Sequence, residues 1–202
     1  MNKNWSLLLV VAFVLGIAIN SYITQQAEVE DNKTESVNNG TTEPTIFFGE
    51  GGKAVDIFDT QDNRIRVIYF GFTRCPDVCP TSLAMLAGAL NELDEPSKEQ
   101  LRPLFISLDP ERDQAETAYK YAQYFNPMIE GLSAPVSVTT DLAHNYGVIF
   151  RKTELENSEL GYTIDHSSYF YFTKPDGTLL TKVPHTLSPA PLVEAIKQLQ
   201  TK

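Results

Sequence analysis

The sequence predicts an α/β fold in which helices flank a central mixed β-sheet, and three observations carry that expectation. Arg64–Phe70 is a β-branched and aromatic run, read as a strand, that enters a loop holding both cysteines and then a helical pattern. A second buried strand pattern follows at Leu104–Leu108, ahead of another amphipathic helix. Finally, two strand patterns at Ser168–Thr173 and Thr178–Val183 flank a turn and precede a terminal helix. A βαβ unit, a hairpin and a closing helix, with two thiols at the tip of the first strand, is the order of a thioredoxin-like fold.

Three regions are expected. Residues 1–26 hold the uncharged stretch Trp5–Ile23, preceded only by Lys3 and the α-amine. Its core, Leu7–Ile19, has the length of a signal peptide, while the wider span just reaches the roughly 20 residues of a transmembrane helix. No persuasive small-x-small cleavage site follows, so an uncleaved anchor is the favoured reading over a removed signal. Lys3 before the span and Glu28, Glu30 and Asp31 after it favour a cytoplasmic N-terminus with the rest exported. That makes a single-pass protein with its C-terminal domain on the non-cytoplasmic side of the membrane. Residues 27–44, rich in Glu, Asn and Thr, read as a flexible acidic linker. Residues 45–202 read as the folded domain.

Within that domain, Leu83, Leu86, Ala87, Leu90 and Leu93 recur at helical spacing after the cysteine loop. Asp113-Gln114-Ala115-Glu116 resembles a capping box for a helix whose apolar face is Ala115, Ala118, Tyr119, Ala122 and Phe125. Asp109-Pro110 reads as a helix start and Asp77 as a solvated turn residue. A further helix is expected around Asp141–Tyr146, within an otherwise irregular connection from Pro135 to Glu159. Lys174-Pro175-Asp176-Gly177 is the hairpin turn, and Ser188-Pro189 starts a helix with Leu192, Ala195, Ile196 and Leu199 on one face. The run Tyr169–Phe172 reads as sheet core.

Composition excludes some functions. The 202 residues are 42% hydrophobic and 21% charged, ordinary for a globular protein, and the net charge of −10 argues against sequence-independent binding of nucleic acid phosphate. Two cysteines, Cys75 and Cys79, are too few for a disulfide framework, so chemistry explains them better than stapling. Each precedes a proline, which disfavours α geometry and places the pair on a loop just before a helix N-terminus. The partial positive charge there favours thiolate. Three residues between the sulfurs, rather than the two of thioredoxin-type enzymes, leave room for an ion. Two thiolates suit Cu(I), zinc or an iron–sulfur centre. A four-cysteine cluster is impossible from one such chain, and a structural zinc site needs four ligands from a chain with three histidines, His144, His166 and His185. Copper is satisfied with fewer. His166, just before the aromatic strand of the hairpin, is the candidate third ligand, although a lone histidine there is more often an ordinary core or surface residue.

Three motifs then coincide. Tyr69–Pro80 (YFGFTRCPDVCP), Ser107–Asp113 (SLDPERD) and Asp165–Ser167 (DHS) resemble, in order, those of the SCO/SenC copper proteins, which are assembly factors for cytochrome c oxidase. The resemblance covers roughly residues 45–200 plus the N-terminal span. It implies a thioredoxin-like domain on a membrane anchor, with copper, Cu(I) or Cu(II), held by Cys75, Cys79 and His166. It also implies a role in delivering copper to the dinuclear copper A centre of oxidase subunit II, or in reducing that subunit's cysteines. An upstream copper donor or thiol reductant is then required. Arg74 stands where other members often carry histidine, a difference outside the ligands. The rival reading is a tethered thiol–disulfide oxidoreductase in which Cys75 and Cys79 cycle without metal. A peroxiredoxin is disfavoured, because its threonine lies three residues before the reactive cysteine and Thr73 lies two before Cys75. A structural adaptor using the acidic surface is the remaining alternative.

Overall fold

The computed structural model describes residues 45–156 and 158–201; the expected anchor over residues 1–26 and linker over residues 27–44 lie outside the described residues. Among the described residues, no helix is long and apolar enough to cross a membrane. The expected βαβ unit is present. Strand β3 (Ile65–Gly71) leads through the cysteine loop into helix α1 (Val78–Glu92), short helix α2 (Glu95–Glu99) and strand β4 (Leu101–Ser107), which pairs with β3 in parallel. Six of seven β3 residues and all of β4 are buried. Both faces of the pair are therefore covered, which is why these strands read as continuous apolar runs rather than alternating ones.

Two short strands near the start, β1 (Ile46–Phe48) and β2 (Ala54–Asp56), form a separate antiparallel pair. After β4 come α3 (Ala115–Phe125), β5 (Glu130–Leu132), α4 (Val136–Asn145), β6 (Phe150–Glu154), β7 (Tyr162–His166), β8 (Tyr169–Thr173), β9 (Leu179–Pro184) and α5 (Ala190–Gln200). The main sheet has five strands in the order β5-β4-β3-β8-β9. Strands β3, β4 and β5 are mutually parallel, and β8 and β9 run antiparallel to their neighbours, so the sheet is mixed as expected. The β8–β9 turn closes with Lys174 N–H on Thr178 O at 2.9 Å and Gly177 at φ 84°, a left-handed position suited to glycine. Phe170, Tyr171 and Phe172 are all sheet core.

Several local expectations are corrected. Helix α4 begins at Val136, five residues before the predicted start, and the connection holds strand β6, which pairs with β7 beyond it to make a two-stranded sheet of their own. Gln114, not Asp113, is the residue before α3, and it makes no side-chain cap. The Asp113 carboxylate instead turns inward to Thr73 and Ser107, because buried N–H and hydroxyl donors there demand an acceptor. Asp109-Pro110 opens a turn, not a helix: Arg112 N–H and Asp113 N–H both donate to Asp109 O, at 3.0 and 2.8 Å. The side chain of Asp109 is buried in an ion pair with Arg112.

The opposite end of the sheet is tied by Arg66, a charged residue inside β3 with no exposed surface. Its guanidinium donates to Ile57 O at 2.9 Å, Asp59 O at 2.7 Å, Asp62 O at 2.6 Å and Arg64 O. One cation thus gathers the carbonyls of the whole 57–64 loop, which burial would otherwise leave unpaired. Arg64 hydrogen-bonds the Asp62 side chain and holds its carboxyl down at about 2, against an opposing effect of burial.

Candidate metal centre

The carboxyl ends of β3 and β4, the start of α1 and the end of β7 converge, and the three predicted site residues lie there. Ligand sites of open α/β sheets form at this edge. Cys75 follows β3 in the loop, where its N–H donates to Phe72 O at 3.3 Å, and it is partly exposed. Cys79 is buried and lies within the first turn of α1, not on the loop ahead of it. The following proline does not prevent this. Pro80 is the third residue of the helix, where an N–H has no intrahelical partner and none is lost.

Asp77, the residue before the helix, is exposed and makes no side-chain cap. The sulfur of Cys75 takes that role, accepting the Cys79 N–H at 3.3 Å. Hydrogen bonding from the Cys79 thiol, helped by the N–H groups of Asp77, Cys79 and Val78 and opposed by partial burial, lowers the Cys75 thiol to about 6. Cys79 moves the opposite way: the neighbouring Cys75 sulfur and deep burial both raise it. The two shifts run in opposite directions, so Cys75 is the readier thiolate of the pair.

His166 ends β7 and brings Nε2 to 3.4 Å from Cys79 Sγ. Its other ring nitrogen, Nδ1, lies 3.2 Å from Ser167 O. A carbonyl only accepts, so Nδ1 carries the proton and Nε2 presents its lone pair to the sulfur. Burial lowers the His166 pKa, which keeps the ring neutral. Phe72 and Tyr69 hold it edge-on, with ring centroids 6.2 and 6.4 Å away. Gly71 makes space for the thiol, since a Cβ there would stand 3.0 Å from Cys79 Sγ and 3.1 Å from Phe105.

Among the described residues, no three His, Cys, Asp or Glu side chains are gathered closely enough to hold an ion as a finished cage. What exists is a Cys79–His166 pair with Cys75 hydrogen-bonded beside it. Such a set can close on a soft ion by a small movement of the Cys75 side chain, or close as a disulfide; both cysteines are free. His144 is exposed, its ring 5.9 Å from that of Phe150, and takes no part. His185 is closer than its sequence position indicates: Nδ1 lies 2.8 Å from Ser82 Oγ, one turn after Cys79 on α1. Sequence reasoning missed this pair, and the i, i+3 spacing of Cys79 and Ser82 was the available signal. It also missed Tyr69, whose hydroxyl is buried with no hydrogen-bond partner among the described residues and whose pKa is raised by burial and by the nearby Cys79.

Comparison with known proteins identifies the family. The family described as SCO1/SenC matches residues 30–201. The mitochondrial protein SCO1 homolog 1 of Arabidopsis thaliana is 40% identical over 136 residues, covering 66% of this chain and 39% of that relative, so the chain spans well under half its length. The crystal structure of Arabidopsis thaliana ScoI with copper bound superposes with a TM-score of 0.70 at 31% identity, over 79% of this chain and 98% of that one. Yeast Sco1 with copper bound gives a TM-score of 0.66 at 29% identity, over 79% and 88% of the two chains. With the cysteine loop, the distant histidine and the fold all in place, this chain belongs to the SCO1/SenC family.

Proposed function

We propose that this chain is a membrane-tethered copper carrier that binds copper through Cys75, Cys79 and His166. It then delivers the ion to the dinuclear copper A centre in cytochrome c oxidase subunit II. One observation carries the reading: a neutral imidazole is aimed by its own backbone at the sulfur of a cysteine that sits beside a ready thiolate. Those are two soft donors and one borderline donor, the set that suits Cu(I) and, with the imidazole, Cu(II). The solved relatives from Arabidopsis and yeast hold copper. The subunit II target and the need for an upstream copper donor come from the family resemblance.

Copper entering the site would replace the thiol proton of Cys79, whose sulfur lies 3.4 Å from His166 Nε2. Three donors leave the ion open on one side. An incoming thiolate or imidazole of the acceptor can therefore share the copper before Cys75, the more exposed sulfur, lets go. A closed four-ligand site would hinder that exchange. The apolar Trp5–Ile23 span would hold the domain at the bacterial cytoplasmic membrane, on its periplasmic or extracytoplasmic side, where an oxidase copper centre is assembled.

The depressed pKa of Cys75 favours a second reading, in which the pair reduces disulfides of subunit II or other exported proteins. Cys75 thiolate would attack the target disulfide and expel one target thiolate; deprotonated Cys79 would then attack Cys75 and release the second, leaving a Cys75–Cys79 disulfide. An outside thiol reductant would reset it.

Anaerobic Cu(I) competition against a chromophoric chelator, on the full chain in detergent, separates the two. One copper per chain is expected for the wild type. Cys75→Ser and Cys79→Ser should abolish stable binding, and His166→Ala should weaken it about ten- to a hundredfold, as loss of a single ligand or its support does. Copper retention undiminished in either serine variant would end the carrier reading.

A further inference from the structure

We propose that the five-residue turn Asp109–Asp113 is a positioning bracket that sets the spacing between the two halves of the site, one arm holding the cysteine loop and the other the hairpin that ends at His166. Its consequence for copper rests on the carrier reading, whereas its geometry stands independently.

The first arm is Asp113. The residue is fully buried, and no cation pairs with it among the described residues. Its Oδ2 accepts Thr73 N–H and Ser107 Oγ–H, both at 2.7 Å, and its Oδ1 accepts the Thr73 hydroxyl. Thr73 lies two residues before Cys75, so the carboxylate anchors the loop at the point where it leaves β3. The backbone repeats the attachment, with Leu108 N–H on Gly71 O at 2.7 Å.

The second arm is Asp109 with Arg112. Asp109 is 3% exposed; one of its oxygens pairs with Arg112 Nε and the other accepts the Tyr162 hydroxyl at 2.7 Å. Arg112 Nη1 donates to Leu160 O and Tyr162 O, both at 3.0 Å, and the guanidinium lies 3.5 Å from the centre of the Tyr162 ring. Lys152 Nζ stands 3.8 Å from that ring and pairs with Glu111 of the same turn at 3.2 Å. Turn and hairpin are thus joined by hydrogen bonds, stacking and ion pairs at one place.

That place matters because the hairpin shares no strand ladder with the five-stranded sheet. At its His166 end the hairpin is tied by Ser167 and Ser168 to β8 and by residues 146–149 to α4, and Ile164 packs on the core in mid-strand, so the far end of the hairpin is the part left to pivot. Tyr162 is the other end of β7, four residues away, or about 13 Å at the rise of a strand. A second attachment there stops the pivot and fixes how far Nε2 stands from Cys79 Sγ. Because both arms spring from one turn, sulfur and imidazole are referred to the same fixed point.

Tyr162→Phe removes only the hydroxyl's bond to Asp109 and its longer contact with Glu111 at 3.4 Å, both residues of the turn, and Thr73→Val removes only the hydroxyl bond to Asp113, so both variants should fold. Each is made with and without His166→Ala in the full chain, and Cu(I) affinity is measured. Tyr162→Phe is expected to weaken binding about tenfold when His166 is present, the low end of the effect of outer-sphere partners, and not at all when it is absent. Thr73→Val should weaken binding in both backgrounds, since it acts through the cysteine loop. An equal loss from Tyr162→Phe in both backgrounds, or no loss in either, overturns the proposal. Amide hydrogen exchange of the metal-free chain supplies a second readout: Ile164–His166 should exchange several-fold faster in Tyr162→Phe while β4 is unchanged. If the wild type binds no copper, the carrier reading fails, and the exchange result alone decides the bracket, unchanged exchange overturning it.

Discussion

Cys75 and Cys79 are chemically alike and are made unlike by position. The first sulfur caps a helix and is partly exposed; the second is packed under Gly71 and faces an imidazole. The difference is measurable by alkylation of the metal-free chain with a small haloacetamide across pH. Cys75 should react with a midpoint near pH 6, the value at which it becomes thiolate, and Cys79 should stay unmodified through neutrality. Linkage gives the sign for stability. The Cys75 pKa is depressed on folding, so its contribution is fully present above the unfolded value near 9 and is lost as pH falls through about 6. A single midpoint near 9 for both thiols would remove the asymmetry on which the transfer order depends. The cysteine loop itself was legible in the sequence, because the -Cys-Pro- repeats sit at a strand-to-helix junction. The side chains around it were less so. Asp113 looks like a cap and Asp109 like a helix start until the buried donors of Thr73, Ser107 and Tyr162 compete for them.

At the scale of elements, legibility followed burial. Strands β3, β4 and β8 and helix α5 carry strong apolar patterns, and each lies within a few residues of its expected place. The strands that went unseen are short or polar: β1, β2 and β5 have three residues each, β6 reads Phe-Arg-Lys-Thr-Glu with no buried residue, and β7 buries only Ile164. A strand without a hydrophobic face offers no period to detect. Arg66 shows the opposite case, a charge in a pattern that otherwise reads as core. Its guanidinium is the hub of the 57–64 loop, so Arg66→Met should free four carbonyls and lower stability by about 3 kcal/mol, in the range for breaking a buried polar network. The loss would appear as a lower urea midpoint with the Cu(I) stoichiometry intact, because the loop is at the far end of β3. A loss within about 0.5 kcal/mol would mean that water replaces the guanidinium without penalty.

At the scale of the molecule, the net charge of −10 agrees with the proposed carrier, whose cargo would be held by specific ligands and not by a general field. No local pattern could foretell that Cys79 meets His166, because that meeting depends on the strand order β4-β3-β8 and on where the intervening hairpin lies. The contact spans 87 residues of sequence. An ion joining those two side chains is therefore a cross-link, and it acts on the unfolded chain as a disulfide does, by removing the freedom of a long loop. For loops of 15 to 100 residues that freedom is worth roughly 3 to 5 kcal/mol. Saturating Cu(I) should raise Tm in the wild type by several degrees and by distinctly less in His166→Ala, where the ion bridges only the local Cys75–Cys79 loop; equal rises would place the imidazole outside the coordination sphere. Under the proposed carrier role, delivery would run the same linkage backwards. Each ion handed on unfastens the link between the first and last thirds of the domain, so the empty carrier differs from the loaded one in resilience as well as in cargo, and a protease or a quality-control receptor could tell the two apart without touching the metal.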